Sequence, residues 1–145
     1  MNELQDYAKS FLGIPYVWGG ANPFTGFDCS GYVQWLLASV GLDPKGDQTA
    51  QGLYEYFRQG SHGIPCEDPM VGCLVFYGRG RGSIKHVSFV LDKKWIIEAG
   101  GGGSDHKAGA NKHVSTGAAV RKRLYSVRSD VVAILRPKYE QVGLR

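Results

Sequence analysis

No stretch of this 145-residue chain approaches the run of about 20 apolar residues that a membrane-crossing helix needs, so no such span is expected. The amino terminus, Met1-Asn2-Glu3-Leu4-Gln5-Asp6, carries acids where a secretory signal would carry Lys or Arg ahead of an apolar core. Cysteine is scarce. Its three copies are an odd number, which argues against a disulfide framework. Neither a CxxC pair nor a His-x₃₋₅-His pair occurs, so no metal site is expected, although Cys66 and Cys73 lie seven positions apart with His62 upstream. Cys73 is expected to fill core in a strand. Repeats and linkers are also missing, which leaves one domain spanning residues 1–145. Gly100-Gly101-Gly102-Gly103 lacks the Gly-Lys-Ser/Thr that would make it a phosphate loop.

Positive charge is nearly missing from the first half. Residues 1–78 hold three basic against eight acidic residues, whereas residues 79–145 hold fourteen against five. A basic half suggests a polyanionic partner. The basic stretches Gly78-Arg79-Gly80-Arg81-Gly82 and Arg121-Lys122-Arg123 have no interleaved aromatics and match no nucleic-acid motif, so no specific nucleic-acid binding is expected. The bland reading is that these side chains solvate exposed strand faces.

What is present centres on Gly26-Phe27-Asp28-Cys29-Ser30-Gly31 and the apolar positions Val33, Leu36, Leu37 and Val40, which recur at helical spacing until Gly41. A cysteine thus sits where a breaker-rich loop becomes a buried helix, with Asp28 suited to cap it. Helix N-termini stabilise anions, and the thiolate is the nucleophilic form of cysteine. Taken alone, a cysteine at this place is more often a small residue that packs the helix start than a nucleophile.

Before that helix, residues 3–12 read as a short amphipathic helix and 14–18 as extended. After it, a helix is expected over 48–58 with Asp47 as its N-cap, then a loop over 60–69. The period then changes. Strands are expected at 71–77, 86–91, 95–99, 120–125 and 131–135, with loops at 78–82 and 100–117. Helices first and strands afterwards indicate α+β, an antiparallel sheet with helices on one face.

Four histidines are available as a base. His62, His106 and His113 fall in loops; His86 opens a strand, His86-Val87-Ser88-Phe89-Val90-Leu91, and is held rigidly there as a base must be. With a three-residue hairpin loop at 91–93, Val90 faces Lys94 and His86 lies directly across from Glu98 on the same sheet face. Glu98 then orients and stabilises the imidazolium. A two-residue loop turns Glu98 to the other face, and sequence alone leaves both registers open.

With Gly13-Ile14-Pro15-Tyr16-Val17-Trp18-Gly19-Gly20, Gly26-Phe27-Asp28-Cys29-Ser30-Gly31, Gly72-Cys73-Leu74-Val75-Phe76-Tyr77 and His86-Val87, the chain resembles the NlpC-type family of papain-like cell-wall cysteine peptidases over residues 5–99. The resemblance implies a papain-like α+β fold, Cys29 as nucleophile and His86 as base. Where the family often carries a second histidine followed by alanine, this chain has Glu98-Ala99; where it usually has Gly-Asp-Leu, this chain has Cys73. The resemblance also implies that Tyr16, Asp28 and Ser30 line the substrate cleft, that no cofactor is needed, and that the substrate is the peptidoglycan stem peptide, cut between D-glutamate and the diamino residue. The basic half would then meet an anionic cell envelope. Without a signal sequence, the expected setting is a monomeric phage lysin or virion-associated wall hydrolase, cytoplasmic before release. The competing expectation, motivated by Glu98 and Cys73, is a wall-binding module of the same fold with weakened catalysis.

Overall fold

The computed structural model describes residues 1–101 and 117–144. Its architecture is α+β, with helices α1 (Asn2–Lys9), α2 (Cys29–Ala38) and α3 (Ala50–Phe57) preceding most of the strands. A two-residue ribbon, β1 (Ala21–Asn22) with β2 (Gly26–Phe27), lies immediately before α2. The remaining strands are β3 (Gly63–Pro65), β4 (Leu74–Gly80), β5 (Ser83–Val90), β6 (Trp95–Gly100), β7 (Ala119–Leu124) and β8 (Val131–Pro137). They form one six-stranded antiparallel sheet in the order β3-β8-β4-β5-β6-β7.

The expected alternation in β5 divides the core in two. Val87, Phe89 and Leu91 join Ile97, Ala99 and Val120 on the face that packs against the helices, with Tyr32, Val33, Leu36 and Leu37 of α2 and Leu53 and Phe57 of α3. Val90 points to the opposite face, where Cys73, Val75, Tyr77, Ile96 and Ile134 make a second cluster. α2 is apolar on most of its circumference because it is enclosed between α1 and the sheet. The Tyr32 hydroxyl donates to the Ala8 carbonyl at 2.8 Å, tying α1 to it.

Several element boundaries differ from the sequence reading. The third helix is capped by Thr49, whose hydroxyl accepts from the Gly52 N–H at 3.0 Å, and not by Asp47. Both residues suit the role. The choice falls to Thr49 because Gln34 Oε1, buried in α2, takes the Gln48 N–H at 2.8 Å and holds that residue outside the helix. The expected loop at 60–69 contains β3, drawn into the sheet by pairing with β8. The expected loop at 78–82 shrinks to a tight connection, because β4 continues to Gly80 through irregular pairing at Gly78. A Cβ at Gly78 would overlap the Ser83 carbonyl, so the close approach requires glycine there. The expected loop at 100–117 falls mostly outside the described residues, as do His106 and His113.

Candidate active site

Cys29 is the first residue of α2. Asp28 caps the helix as expected: its Oδ1 accepts from the Gly31 N–H at 2.7 Å and from the Ser30 hydroxyl at 3.3 Å, and its Oδ2 accepts from the Gly19 N–H at 3.2 Å. Burial pushes the Asp28 carboxyl above its ordinary pKa, against the pull of those three hydrogen bonds. The cap therefore also fixes the preceding loop, and with it the position of the cysteine. Gly31 is part of this fit, since a Cβ there would overlap the Gly20 carbonyl and meet Asp28 Oδ1 at 2.8 Å. Gly31→Ala is expected to destabilise the fold by about 3 kcal/mol, measurable as a lowered denaturant midpoint in urea.

Tyr16 reaches the same place from the extended segment before β1. It pairs with Phe27 in an isolated parallel bridge, and its N–H donates to the Ala118 carbonyl at 3.0 Å. Its phenol is buried, and burial, then the charges of Cys29 and Asp28, hold it far above its ordinary pKa. It stays protonated beside the cysteine at any relevant pH. Tyr16, Asp28 and Ser30 are thus gathered around Cys29; Ser30 is buried with its hydroxyl turned to the capping carboxylate.

His86 lies inside β5, three residues after its first residue, opposite Tyr77 of β4, whose ring centroid is 5.4 Å from the imidazole. Its Nε2 is 2.8 Å from Glu98 Oε1. Cys29 is the other group that acts on this ring, raising its affinity for a proton through hydrogen bonding and charge. The pairing that achieves this is neither of the two considered above. Phe89 faces Ile97 and Val90 faces Ile96, with the loop at 92–94. Continued along the strands, this register sets Ser88 opposite Glu98 and His86 opposite Gly100. It is displaced by two residues from the three-residue-loop expectation. A shift of two preserves the face. Glu98 therefore reaches His86 on the diagonal, a separation that long side chains bridge. Gly100 leaves the room: a Cβ there would lie 3.3 Å from Glu98 Oε2 and 3.4 Å from His86 Cε1.

Glu98 is 1% exposed, a buried carboxylate that must be compensated. Two partners that the sequence reading did not assign to the site supply the balance. Arg121, directly opposite on β7, donates from Nε at 3.2 Å and Nη2 at 3.1 Å to Glu98 Oε2, and Arg123 Nη1 lies 3.5 Å from the same oxygen. Arg121 and Arg123 share one face of β7 because they alternate with Val120 and Lys122; Lys122 points the other way and covers the Trp95 ring at 4.4 Å. The stretch Arg121-Lys122-Arg123 is accordingly divided between two faces. Counting alternate residues from Val120 would have found this pair, given a register for β7.

The electrostatics follow. Burial alone would lower the His86 pKa, but hydrogen bonds and charge from Cys29 and Glu98 raise it to about 9. Burial alone would raise that of Glu98, but His86 and Arg121 hold it down to about 2. At neutral pH the site holds an imidazolium between a sulfur and a fixed carboxylate. Such an arrangement can hold a thiolate, deliver a proton to a leaving group and then take one from water. The fourth histidine, His62, stacks on Tyr56 at 4.0 Å and has no place in this site.

A cysteine at the start of the enclosed helix, facing a histidine and a carboxylate on the sheet, places the molecule in the papain-like class of α+β folds. More narrowly, residues 13–127 match the model of the NlpC/P60 family, and the chain belongs to that family. It is 35% identical over 109 residues to the bifunctional muramidase/DL-endopeptidase CwlT of Bacillus subtilis, a match covering 70% of this chain and 31% of the relative. It is 34% identical over 127 residues to the gamma-D-glutamyl-L-lysine dipeptidyl-peptidase of the same organism, covering 81% and 37%. The chain thus spans about a third of the length of these relatives. The fold also matches the crystal structure of an NlpC/P60 family protein from Bacillus cereus, with a TM-score of 0.69 at 22% identity over 92% of this chain and 38% of that one.

Proposed function

We propose that this chain is a thiol-dependent peptidoglycan hydrolase that cuts an amide bond of the stem peptide, between the D-glutamyl residue and the diamino acid. The observation that carries the reading is the 2.8 Å contact of His86 with the buried Glu98, on a ring whose proton affinity is also raised by Cys29 at the start of α2. The names of the relatives, a DL-endopeptidase and a gamma-D-glutamyl-L-lysine dipeptidyl-peptidase, support the choice of bond.

In this mechanism the Cys29 thiolate attacks the amide carbonyl. The oxyanion meets the N–H groups at the open end of α2, with the Tyr16 hydroxyl as a further donor. The His86 imidazolium, whose second nitrogen is held by Glu98, protonates the leaving amine. The neutral imidazole then takes a proton from the water that hydrolyses the thioester. Asp28 and Ser30 border the bound peptide while holding the helix start. No step calls for a metal or organic cofactor. Cys29, His86 and Glu98 act within a single domain unit, and a monomer suffices for all of them.

The finer setting, a phage lysin or virion-associated hydrolase meeting an anionic envelope through residues 79–145, rests on their basic balance. That balance is partly consumed internally: Arg121 and Arg123 face Glu98, Arg128 pairs with Asp130 at 2.6 Å, and Arg136 Nη1 lies 3.6 Å from Glu140. Wall attachment is therefore expected to be salt-sensitive and modest.

Mass spectrometry of purified walls digested with the protein tests the proposal. New fragments ending in free D-glutamyl carboxyl groups are expected, and intact stem peptides would refute it. Against a binding module with weakened catalysis, iodoacetamide at neutral pH is expected to label Cys29 rapidly in the wild type and slowly in His86→Ala.

A further inference from the structure

Outside the catalytic cluster, the chemistry left unused is that of the other two cysteines. Cys66 Sγ and Cys73 Sγ are 3.4 Å apart. Their backbones are pinned independently. The Cys66 N–H donates to the Ile134 carbonyl of β8 at 2.9 Å. The Cys73 N–H donates to the Met70 carbonyl at 3.0 Å, and its carbonyl accepts from the Val90 N–H at 2.9 Å. The sheet therefore holds the two sulfurs together across the connection from β3 to β4, at 3.4 Å against the roughly 2.0 Å of a disulfide. Among the described residues no cluster of three or more His, Cys, Asp or Glu could hold a metal, so this is a thiol couple and not part of a cation site.

Access to the two sulfurs differs. Cys73 is fully buried, whereas Cys66 is half-buried and lines an open cavity of about 310 Å³ with Arg58, Arg81 and Pro65. Burial, with the hydrogen bond to Cys66, pushes the Cys73 thiol up to about 12. This asymmetry orders a thiol–disulfide exchange: an accessible attacking sulfur and a buried resolving one.

We propose that Cys66 and Cys73 are a built-in redox couple that closes to a structural disulfide when the protein meets a disulfide-bearing oxidant, leaving Cys29 as the sole free thiol. Cys66 attacks the oxidant's disulfide, forming a mixed disulfide and releasing one thiol. Cys73 then attacks Cys66 Sγ, its proton passing to the departing thiolate. Two protein thiols are oxidised and one small-molecule disulfide is reduced to two thiols. The bond ties the β3–β4 connection to the start of β4, removing chain freedom from the unfolded state. It also takes two of three sulfurs out of reach of the nucleophile. That the bond persists in service rests on the wall-facing reading above, since such compartments are oxidising; the chemistry itself does not.

The full chain equilibrated with glutathione disulfide, unfolded and alkylated with iodoacetamide, tests this. Expected are Cys29 outside any protein disulfide, either alkylated or carrying glutathione, a mass about 2 Da lower at the other two, and a linked peptide joining Cys66 to Cys73. Three alkylated cysteines, a link that includes Cys29, or glutathione retained at Cys66 in the wild type would each overturn the proposal. Cys73→Ala, which keeps the buried site small and apolar, should instead trap glutathione on Cys66; failure to trap it also counts against the proposal. Dithiothreitol is expected to lower the wild-type Tm by about 5–10 °C and to leave that of Cys66→Ser unchanged. Muropeptide release, read from a folded portion of the same preparation before oxidant or alkylating agent is added, separates the two readings. A linked Cys66–Cys73 without cleavage would refute the proposed function alone; cleavage without the link would refute the redox couple alone.

Discussion

Cys29→Ala is expected to lower stem-peptide cleavage at least about a thousandfold, with no compensating change in substrate binding. The size follows from the role proposed for the sulfur: it is the atom that bonds to the carbonyl carbon, and nothing else near the start of α2 can replace it. Tyr16 is held protonated, and Ser30 is turned into the capping hydrogen bond with Asp28. The fold should persist, because the substitution keeps the β-carbon and leaves the cap untouched; thermal unfolding checks this. A second readout belongs to the histidine. Cys29 is among the groups that raise the His86 pKa to about 9, so in Cys29→Ala its NMR titration midpoint should move down. Undiminished cleavage by the variant would end the thiol mechanism.

Glu98→Gln is expected to act on both activity and stability. Gln can still accept from His86 Nε2, but it no longer offers a charge to the imidazolium or to Arg121 and Arg123. Leaving two guanidinium groups beside a neutral buried side chain costs about 2–4 kcal/mol, below the figure for a fully enclosed pair because Arg121 is 34% exposed. The pH dependence gives the sharper test. The folded pKa of His86, about 9, is above its ordinary value of 6.5, so its contribution to stability is complete below 6.5 and disappears as pH rises through 9. The folded pKa of Glu98, about 2, is below its ordinary value of 4.5, so its contribution is complete above 4.5 and disappears as pH falls through 2. In Glu98→Gln the acid arm of the urea-midpoint profile should shrink, leaving the part carried by other carboxylates such as Asp130, which Arg128 holds below its ordinary pKa. The alkaline limb of kcat/KM, near pH 9 in the wild type, should move down by about one unit. An unmoved alkaline limb would show that Glu98 does not support the charge on His86 and serves only to pair the arginines.

The cysteine at the helix start could be placed from sequence because its determinants are local. A breaker-rich loop, an Asp able to cap, a glycine two residues after the cysteine and a helical apolar period lie within a dozen positions. The same locality explains the errors near it. Asp47 and Thr49 are both good caps, and the choice between them was made by Gln34, fourteen residues before Gln48 and in another helix. β3 was read as loop because three residues containing a proline carry no strand signal of their own; pairing with β8 makes it one.

The contact between His86 and Glu98 divides in the same way. Which face each side chain takes depends on the two-residue period of a strand, which sequence alone carries, and the structure keeps them on one face. Which residues oppose each other depends on where the hairpin turns, and that was settled by the packing of Phe89 and Ile97 in the helix-side core and of Val90 and Ile96 in the cluster behind the sheet. The two arginines that compensate Glu98 come from a strand more than twenty residues later, and the two sulfurs of the redox couple are held in place by backbone hydrogen bonds of Cys66 to Ile134 in β8 and of Cys73 to Val90 in β5. By itself, the sequence determined the kinds of groups and the faces they occupy, since both follow from short-range covalent geometry. The tertiary structure decided which of those groups touch, because contact between strands is set by packing that no local window contains.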